Sequence, residues 1–294
     1  MSNQLLIRRR MMQSKKANFL TFTAEAANSS VQLTTVGTPP AVTLEYNLNG
    51  SGWLPYTVGN TISLPNVGDE VKMRGNNNSF STSSSNYYYF VISGLVSSSG
   101  DITSLLDEEC GNINLTSFCF YSLFTYCESL TQAPELPSTN LATNCYRSMF
   151  WDCKSLTKSS ALPATTLSAY CYYCMFYNCK SLTQAPVLPA TTLSKCCYTN
   201  MFCNCLSITS HEVAMLNNDN TIFQNNSSCA SLTIHADTPP TISNDTITGL
   251  KADCKIYVPY STDHSILNAY KTAQYWSDRA EYMYELDENG EIPS

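Results

Sequence analysis

Residues 119–196 read CFYSLFTYCESLTQAPELPSTNLATN, CYRSMFWDCKSLTKSSALPATTLSAY and CYYCMFYNCKSLTQAPVLPATTLSKC, three consecutive lines of 26 residues each. A fourth line starts at Cys197 as CYTNMFCNCLSIT and loses the pattern after Thr209. Two shorter echoes follow, CASLTI from Cys229 and CKIYV from Cys254. A fixed period of this kind indicates a repeat architecture, in which each copy buries its apolar face against its neighbours.

Each copy contains the parts of one strand and one helix. Ser-Leu-Thr before Pro134 or Pro186 predicts a very short strand, which the proline ends. After Leu-Pro, a Thr-Thr pair can cap a helix, and Leu167, Cys171 and Met175 then recur every four residues, as on one helix face. We therefore predict a mainly β fold that includes an α/β solenoid of 26-residue coils.

Equivalent residues of successive copies are expected to stack on one another in the core of this solenoid. The spacing assigns this structural role to a phenylalanine, a leucine and a cysteine of the coils. The assigned ladder residues are Phe124, Phe150, Phe176, Phe202, Leu130, Leu156, Leu182, Cys127, Cys153, Cys179 and Cys205.

The regions on either side of the repeats differ from them in character. Residues 17–92 contain short alternating apolar runs separated by Gly, Asn, Pro and Ser, which predicts a β-sandwich-like domain. We assign residues 93–118 to an N-terminal cap of the solenoid and residues 119–260 to the repeats. Residues 261–294 are assigned to a capping helix, which is predicted to reach about Met283, and an acidic tail.

Charge is sparse and unevenly distributed along the chain. Charged residues make up 13% of the sequence and the net charge is −7. Nucleic-acid binding needs a basic surface, so we expect no nucleic-acid partner. Residues 1–16 form a basic arm without any acidic residue, and its five cations are Arg8, Arg9, Arg10, Lys15 and Lys16. We interpret this arm as an anchor on an acidic protein surface; the alternative is a solvated tail.

The sequence shows no run of apolar residues long enough to span a bilayer, so we expect no membrane insertion. A secretory signal, which needs an apolar run after a basic start, is not visible either. This pattern favours a protein that stays in a cytoplasm or reaches the outside without the secretion machinery.

The 14 cysteines invite a metal or disulfide interpretation. Most of them recur at repeat positions, which favours free thiols buried as small apolar side chains. A zinc site needs paired ligands, and Cys171 and Cys174 have the C-x-x-C spacing only as a single pair. A disulfide stays open among four clustered residues: Cys196, Cys197, Cys203 and Cys205.

The remaining residues give no sign of catalysis. His211, His235 and His264 are the only histidines, and none lies in a catalytic or metal-binding motif. The repeats show no recurring pair of carboxylates of the kind that acid–base hydrolysis requires. We therefore predict a protein that is not an enzyme and that has no cofactor and no metal.

The 19 tyrosines are the remaining functional signal. Exposed tyrosine rings beside Asn and Thr can bind sugars or proteins at a low entropic cost. The candidate partner surface consists of Tyr146, Tyr172, Tyr173 and Tyr198. The alternative, in which these rings are buried between coils or against a neighbouring subunit, stays open.

The stretch MFYNCKSLTQAPVLPATTL, residues 175–193, resembles the leucine-rich repeats of bacterial surface proteins of the BspA-like type. The shared elements are a phenylalanine, Cys-x-Ser-Leu-Thr and Leu-Pro, and the resemblance covers about residues 100–260. The 26-residue period is longer than is usual in that family. The resemblance implies a leucine-rich-repeat-type solenoid, and similar repeats form parts of head and tail fibres of crAss-like phages that infect gut Bacteroidales.

This resemblance implies a structural protein of a phage virion, a head or tail fibre or a decoration protein located on the virion surface. Its expected partners are other virion proteins, a capsid or connector bound through the basic arm, and a host-surface glycan or protein. A projecting body is commonly a symmetric homo-oligomer, which we also expect here. The alternative is an adhesin or interaction module on the cell surface of a gut bacterium.

Overall fold

The computed structural model describes residues 18–293 with the exception of residues 109, 111–113 and 218–220. The predicted anchoring arm, residues 1–16, lies outside the described residues, as do its cations Arg8, Arg9, Arg10, Lys15 and Lys16. The regular elements of the described part are three β-sheets, two short α-helices and two 3-10 helices. None of these helices is long and apolar enough to cross a membrane.

Eight antiparallel strands form two N-terminal sheets, with strand orders β4-β3-β6-β1-β8 and β5-β2-β7. Alternating apolar and polar residues produce strands with one buried side, as Ile62 and Leu64 of β5 show. The strands are β1 (Leu20–Ala24), β2 (Ser29–Val36), β3 (Leu44–Leu48), β4 (Leu54–Tyr56), β5 (Thr61–Leu64), β6 (Glu70–Gly75), β7 (Tyr87–Ser93) and β8 (Val96–Ser99). A 3-10 helix, Ile102–Leu105, follows them.

The prediction of an α/β solenoid is wrong. Between residues 114 and 209 the structure has neither an α-helix nor an extended strand, and the chain there forms consecutive turns with isolated bridges. The α-helices of the described part are α1 (Asp245–Thr248) and α2 (Ser265–Thr272), both outside the well-preserved copies. The molecule is therefore mostly β, with antiparallel sheets at one end and a parallel sheet at the other.

The turn segment of each copy explains why the helix prediction failed. In an α-helix every N–H bonds to the carbonyl four residues earlier in the same segment. Here the N–H of Phe124 donates to the carbonyl of Met149 in the next copy, at 2.9 Å. The N–H of Thr125 donates to Ser122, three residues back, at 3.0 Å. Backbone hydrogen bonds to the next copy thus alternate with hydrogen bonds inside local turns. This arrangement places an apolar residue at every fourth position without forming a helix.

Every fourth residue of these segments has a left-handed backbone, with φ between 50° and 62°. Asn and Asp tolerate this conformation better than most residues, and they occupy five of the twelve positions. The positions are Phe118, Ser122, Tyr126, Asn144, Ser148, Asp152, Tyr170, Cys174, Asn178, Cys196, Asn200 and Asn204.

The remaining parts of each copy also differ from the predicted elements. The very short strands predicted at Ser-Leu-Thr do not form in the three well-preserved copies, and single parallel bridges just after them join Gln132 to Lys158 and Lys158 to Gln184. The Thr-Thr pair expected to cap a helix forms a parallel bridge between Thr166 and Thr192. Each copy is consequently held mainly by its neighbours.

The C-terminal region closes the stack with a parallel sheet of order β12-β11-β10-β9. Its strands are β9 (Ser210–Val213), β10 (Ser231–Ile234), β11 (Lys255–Val258) and β12 (Met283–Glu285). The echoes CASLTI and CKIYV supply β10 and β11.

The predicted capping helix is much shorter than expected. It ends at Thr272, and a 3-10 helix, Ser277–Tyr282, leads into β12. The break buries Trp276, whose indole N–H donates to the carbonyl of Pro240 at 2.9 Å. Burial of this large ring with its hydrogen bond thus accompanies the end of the helix.

One core extends from the N-terminal sheets into the repeats. The ring of Phe22 contacts Phe90 of β7 at 4.9 Å between centroids, and Phe90 stacks on Phe124 of the first copy at 5.2 Å. The stack continues with centroid distances of 5.4 to 5.7 Å through Phe150, Phe176 and Phe202. We call these six rings the phenylalanine stack.

Candidate binding surfaces

The predicted ladder residues lie in the buried interior. All eleven are at most 1% exposed, and the four ladder phenylalanines belong to the phenylalanine stack. The ladder members are Phe124, Phe150, Phe176, Phe202, Leu130, Leu156, Leu182, Cys127, Cys153, Cys179 and Cys205. Side chains this inaccessible have a structural role and cannot contact a partner.

The ladder thiols act as hydrogen-bond donors. The sulfur of Cys153 lies 3.1 Å from the carbonyl oxygen of Phe124 in the preceding copy, and Cys179 repeats this bond to Phe150 at 3.1 Å. Burial, together with the neighbouring thiols, raises the pKa of Cys153 well above its ordinary value. Because the thiolate is the nucleophilic form, these cysteines are chemically inert in the folded protein.

Three of the four tyrosines predicted to form a partner surface are in fact buried. Tyr146, Tyr172 and Tyr198 are at most 1% exposed, and their rings stack at 6.1 Å centroid distances. They occupy the second position of each copy, which faces the core beside the ladder cysteines. Only Tyr173, at the third position, is partly exposed.

The other cysteines give no cluster of ligands. Cys171 and Cys174 are buried free thiols, and the described residues contain no group of three or more His, Cys, Asp or Glu side chains suited to a metal. No disulfide joins the four clustered cysteines, Cys196, Cys197, Cys203 and Cys205. Elsewhere, the sulfurs of Cys229 and Cys254 lie 3.9 Å apart.

The exposed side of the turn segments carries a different set of aromatic residues, which we call the aromatic turn face. The ring of Tyr87 on β7 contacts Tyr121 of the first copy at 5.2 Å. Trp151 and Tyr177 of the next two copies stack at 4.3 Å. The full set is Tyr87, Tyr89, Tyr121, Tyr126, Trp151, Tyr170, Tyr173 and Tyr177, and Tyr126 is 65% exposed.

Polar groups hold these rings in place. The guanidinium carbon of Arg147 lies 4.6 Å above the ring of Tyr173, a favourable cation–π contact. The indole N–H of Trp151 donates to Asp152 at 2.8 Å, and the side-chain amide of Asn178 donates to the same carboxylate. Ordered rings of this kind can contact a partner with little loss of side-chain entropy.

Burial raises the pKa of three tyrosine hydroxyls on this face, those of Tyr87, Tyr173 and Tyr177. Partial burial and the neighbouring Tyr121, Tyr89 and Tyr126 raise the pKa of Tyr87. Each neutral hydroxyl can both donate and accept a hydrogen bond. The face therefore offers hydrogen-bond donors and acceptors to a polar ligand.

A second concave feature lies over the bridged segments of the repeats, and we call it the repeat cleft. It consists of two hollows with volumes of about 490 and 390 Å³, which share Ser159, Ser160 and Ala161 of the middle copy. Gln132 and Gln184, from the first and third copies, line one hollow each. The sequence analysis missed this cleft, although the middle copy visibly departs from its neighbours at these residues.

Comparison with known proteins leaves the function to be argued from these surfaces. No protein-family model matches the chain, and no curated protein matches its sequence. The resemblance of the repeats to BspA-like sequences thus stays a prediction. The aromatic turn face and the repeat cleft are the candidate binding surfaces considered below.

Proposed function

We propose that this chain is a non-enzymatic structural protein of a phage virion, a head or tail fibre or decoration protein that displays its repeats for adhesion or host recognition. In this proposal the N-terminal region attaches the protein to the particle, and the aromatic turn face meets a host-surface glycan or protein. The resemblance of the repeats to BspA-like sequences and the basic arm both support the virion assignment.

The continuity of the core is the observation that carries this proposal. The N–H of Phe90 in β7 donates to the carbonyl of Leu123 at 2.7 Å, and the N–H of Thr131 donates to Val96 of β8 at 2.9 Å. The phenylalanine stack crosses the same boundary without interruption. A display protein must hold its binding surface in a fixed orientation to its attachment point, and close packing of this kind transmits that orientation.

The place where the described chain begins is also consistent with the proposal. The carbonyl of Asn18 accepts a hydrogen bond from the N–H of Asp101 at 2.6 Å. Phe19 forms a parallel bridge with Asp101, which forms another with Glu135 of the first repeat copy. The first described residues, Asn18 and Phe19, therefore lie next to Asp101, which is itself bridged to the first copy.

Deletion of residues 2–16 tests the attachment. Because these residues precede the described core, the truncated protein should fold with an unchanged melting temperature but should be missing from purified phage particles. A full-length variant with Arg8, Arg9, Arg10, Lys15 and Lys16 replaced by glutamine separates the effect of charge from that of length. Particles that carry both variants at normal copy number would refute the anchor, as would recovery of the native protein only from bacterial envelopes.

A further inference from the structure

We propose that the repeat cleft is a binding site for a saccharide that bears a carboxylate, such as a uronic acid unit of a polysaccharide. The inference goes beyond the proposed function and does not depend on it, because a virion protein or a cell-surface protein could use such a site equally. It rests on the shape of the cleft, on a row of three side chains along it, and on where its charges lie.

The cleft exists because the middle copy differs from its neighbours. The first and third copies read Gln-Ala-Pro-Glu at residues 132–135 and Gln-Ala-Pro-Val at residues 184–187, whereas the middle copy reads Lys-Ser-Ser-Ala at residues 158–161. Ser160 and Ala161 are smaller than the proline and the Glu135 or Val187 at the same positions of the neighbouring copies, and they line both hollows. The Ser-Leu-Thr before these residues and the Leu-Pro after them are identical in all three copies, so the difference lies between two unchanged segments.

A row of polar side chains follows one wall of the cleft. Parallel bridges align Gln132, Lys158 and Gln184 across the three copies, so that an ammonium group is flanked by two amides. Adjacent bridged segments lie about 4.8 Å apart. Within the part of the chain that the structure describes, no acidic group lies within 4.0 Å of the Lys158 ammonium. An ammonium flanked by amides is a suitable set of donors for a carboxylate and the hydroxyls beside it.

The other lining groups suit a sugar ring. The hydroxyl of Ser160 donates to the carbonyl of Pro134 and retains its capacity to accept a bond, and the exposed hydroxyl of Thr183 lies at the rim. Ala161 and the half-exposed Val187 provide small apolar patches for the C–H face of a pyranose. Since the two hollows contain no aromatic side chain among their lining residues, we expect weak binding of a single chain, about millimolar.

The charges also predict an orientation. Lys158 lines the larger hollow, whereas Glu135 lines the smaller one. A ligand carboxylate is attracted to the first and repelled by the second, because opposite charges attract and like charges repel over this range. The acidic unit should therefore occupy the hollow between the middle and third copies.

Titration with trigalacturonate, and with neutral galactotriose for comparison, tests this site by saturation-transfer NMR and chemical-shift mapping on the full chain. We expect trigalacturonate to bind with shifts confined to the cleft and galactotriose to bind at least about tenfold more weakly. Lys158→Gln, which copies the residue of both neighbouring copies, should remove this preference. Lys180→Gln, an exposed lysine outside the cleft lining, is the matched control and should retain it.

A second variant tests the shape of the cleft rather than its charge. The triple change Ser159→Ala, Ser160→Pro and Ala161→Val keeps Lys158 and gives residues 159–161 the Ala-Pro-Val of the third copy, which should fill the depression without unfolding the chain. Binding of both saccharides should then be lost while the melting temperature is retained. The proposal is overturned if trigalacturonate does not bind at concentrations tens of times the expected dissociation constant. It is also overturned if Lys180→Gln weakens trigalacturonate binding as much as Lys158→Gln does, or if the filled variant still binds trigalacturonate.

Discussion

The N-terminal sheets and the repeats use the same phenylalanine stack but satisfy their backbone hydrogen bonds differently. In the sheets, the strands pair in antiparallel registers, as β1 does with β6 and β8. In the repeats, each turn segment donates hydrogen bonds to the next copy, 25 residues along, as Phe124 does to Met149, and the middle copies accept them from the preceding copy. The comparison shows that a copy cannot complete its backbone bonding alone, whereas a strand of the sheets pairs within one compact unit.

The largest effect should follow from breaking the phenylalanine stack within the repeats. Phe176→Ala removes a fully buried ring between two stacked neighbours and should lower the free energy of unfolding by about 3–5 kcal/mol. Chemical denaturation followed by fluorescence measures the loss. Val187→Ala, at a side chain that is 49% exposed, is the control and should change stability little. A Phe176→Ala protein as stable as this control would show that the stack does not hold the copies together.

The far end of the stack contains a histidine in place of a phenylalanine. The ring of His211 lies 4.9 Å from Phe202 and 4.5 Å from Phe223, and its Nε2 lies 2.8 Å from the side-chain oxygen of Asn226. The Asn226 amide nitrogen donates to Phe202, so its oxygen accepts and the Nε2 of His211 carries the proton. Burial lowers the pKa of His211 to about 4.

This histidine should make the repeat end sensitive to acid. The unfolded chain binds a proton near the ordinary pKa of 6.5, whereas the folded chain binds it only near 4. The contribution of His211 to the free energy of unfolding is therefore fully present above about pH 6.5. It is lost as the pH drops towards 4, and the loss is about 3 kcal/mol at most. Urea denaturation across this range measures the slope. His211→Phe should remove the contribution of His211 to this pH dependence, whereas His235→Gln, at an exposed histidine, should retain it. Equal slopes of stability against pH in the two variants would contradict the assignment of this effect to His211.

A smaller effect should follow from the left-handed positions that the sheets largely lack. Asn178 has φ of 62° and its amide donates to Asp152. Asn178→Ala and Asn178→Gly both remove this bond, but only alanine is strained in the left-handed region. We expect the alanine variant to be less stable than the glycine variant by about 1 kcal/mol. Thermal melting of the pair decides the point, and identical stabilities would mean that the turn does not impose this backbone conformation.

The sequence was informative where spacing alone determines the neighbours. Equivalent residues 26 positions apart, such as Phe150 and Phe176, do lie side by side, because a repeated sequence forms the same turn in each copy. The short β-runs of residues 17–92 also form strands. The virion function and the anchoring role of the arm remain predictions.

The sequence was misleading in the repeats, where two different backbone structures give the same spacing of apolar residues. Apolar residues every four positions fit both an α-helix and a chain of turns bonded to the next copy, and periodicity cannot distinguish them. The left-handed Asn144 and Asp152, eight residues apart, and Asn178, which is equivalent to Asp152 one copy later, were the available signal for turns. Tyr146 was misplaced for a related reason, because the direction of a side chain depends on which of the two conformations the segment adopts.

The central claim is that the repeat copies close their backbone hydrogen bonds on each other. Scalar couplings across hydrogen bonds, measured by NMR on the deuterated protein, identify the acceptor of each amide directly. We predict a coupling between the amide nitrogen of Phe150 and the carbonyl carbon of Met175, across a bond of 2.9 Å. A coupling from Phe150 to Tyr146, four residues earlier, would instead show an α-helix and contradict the account.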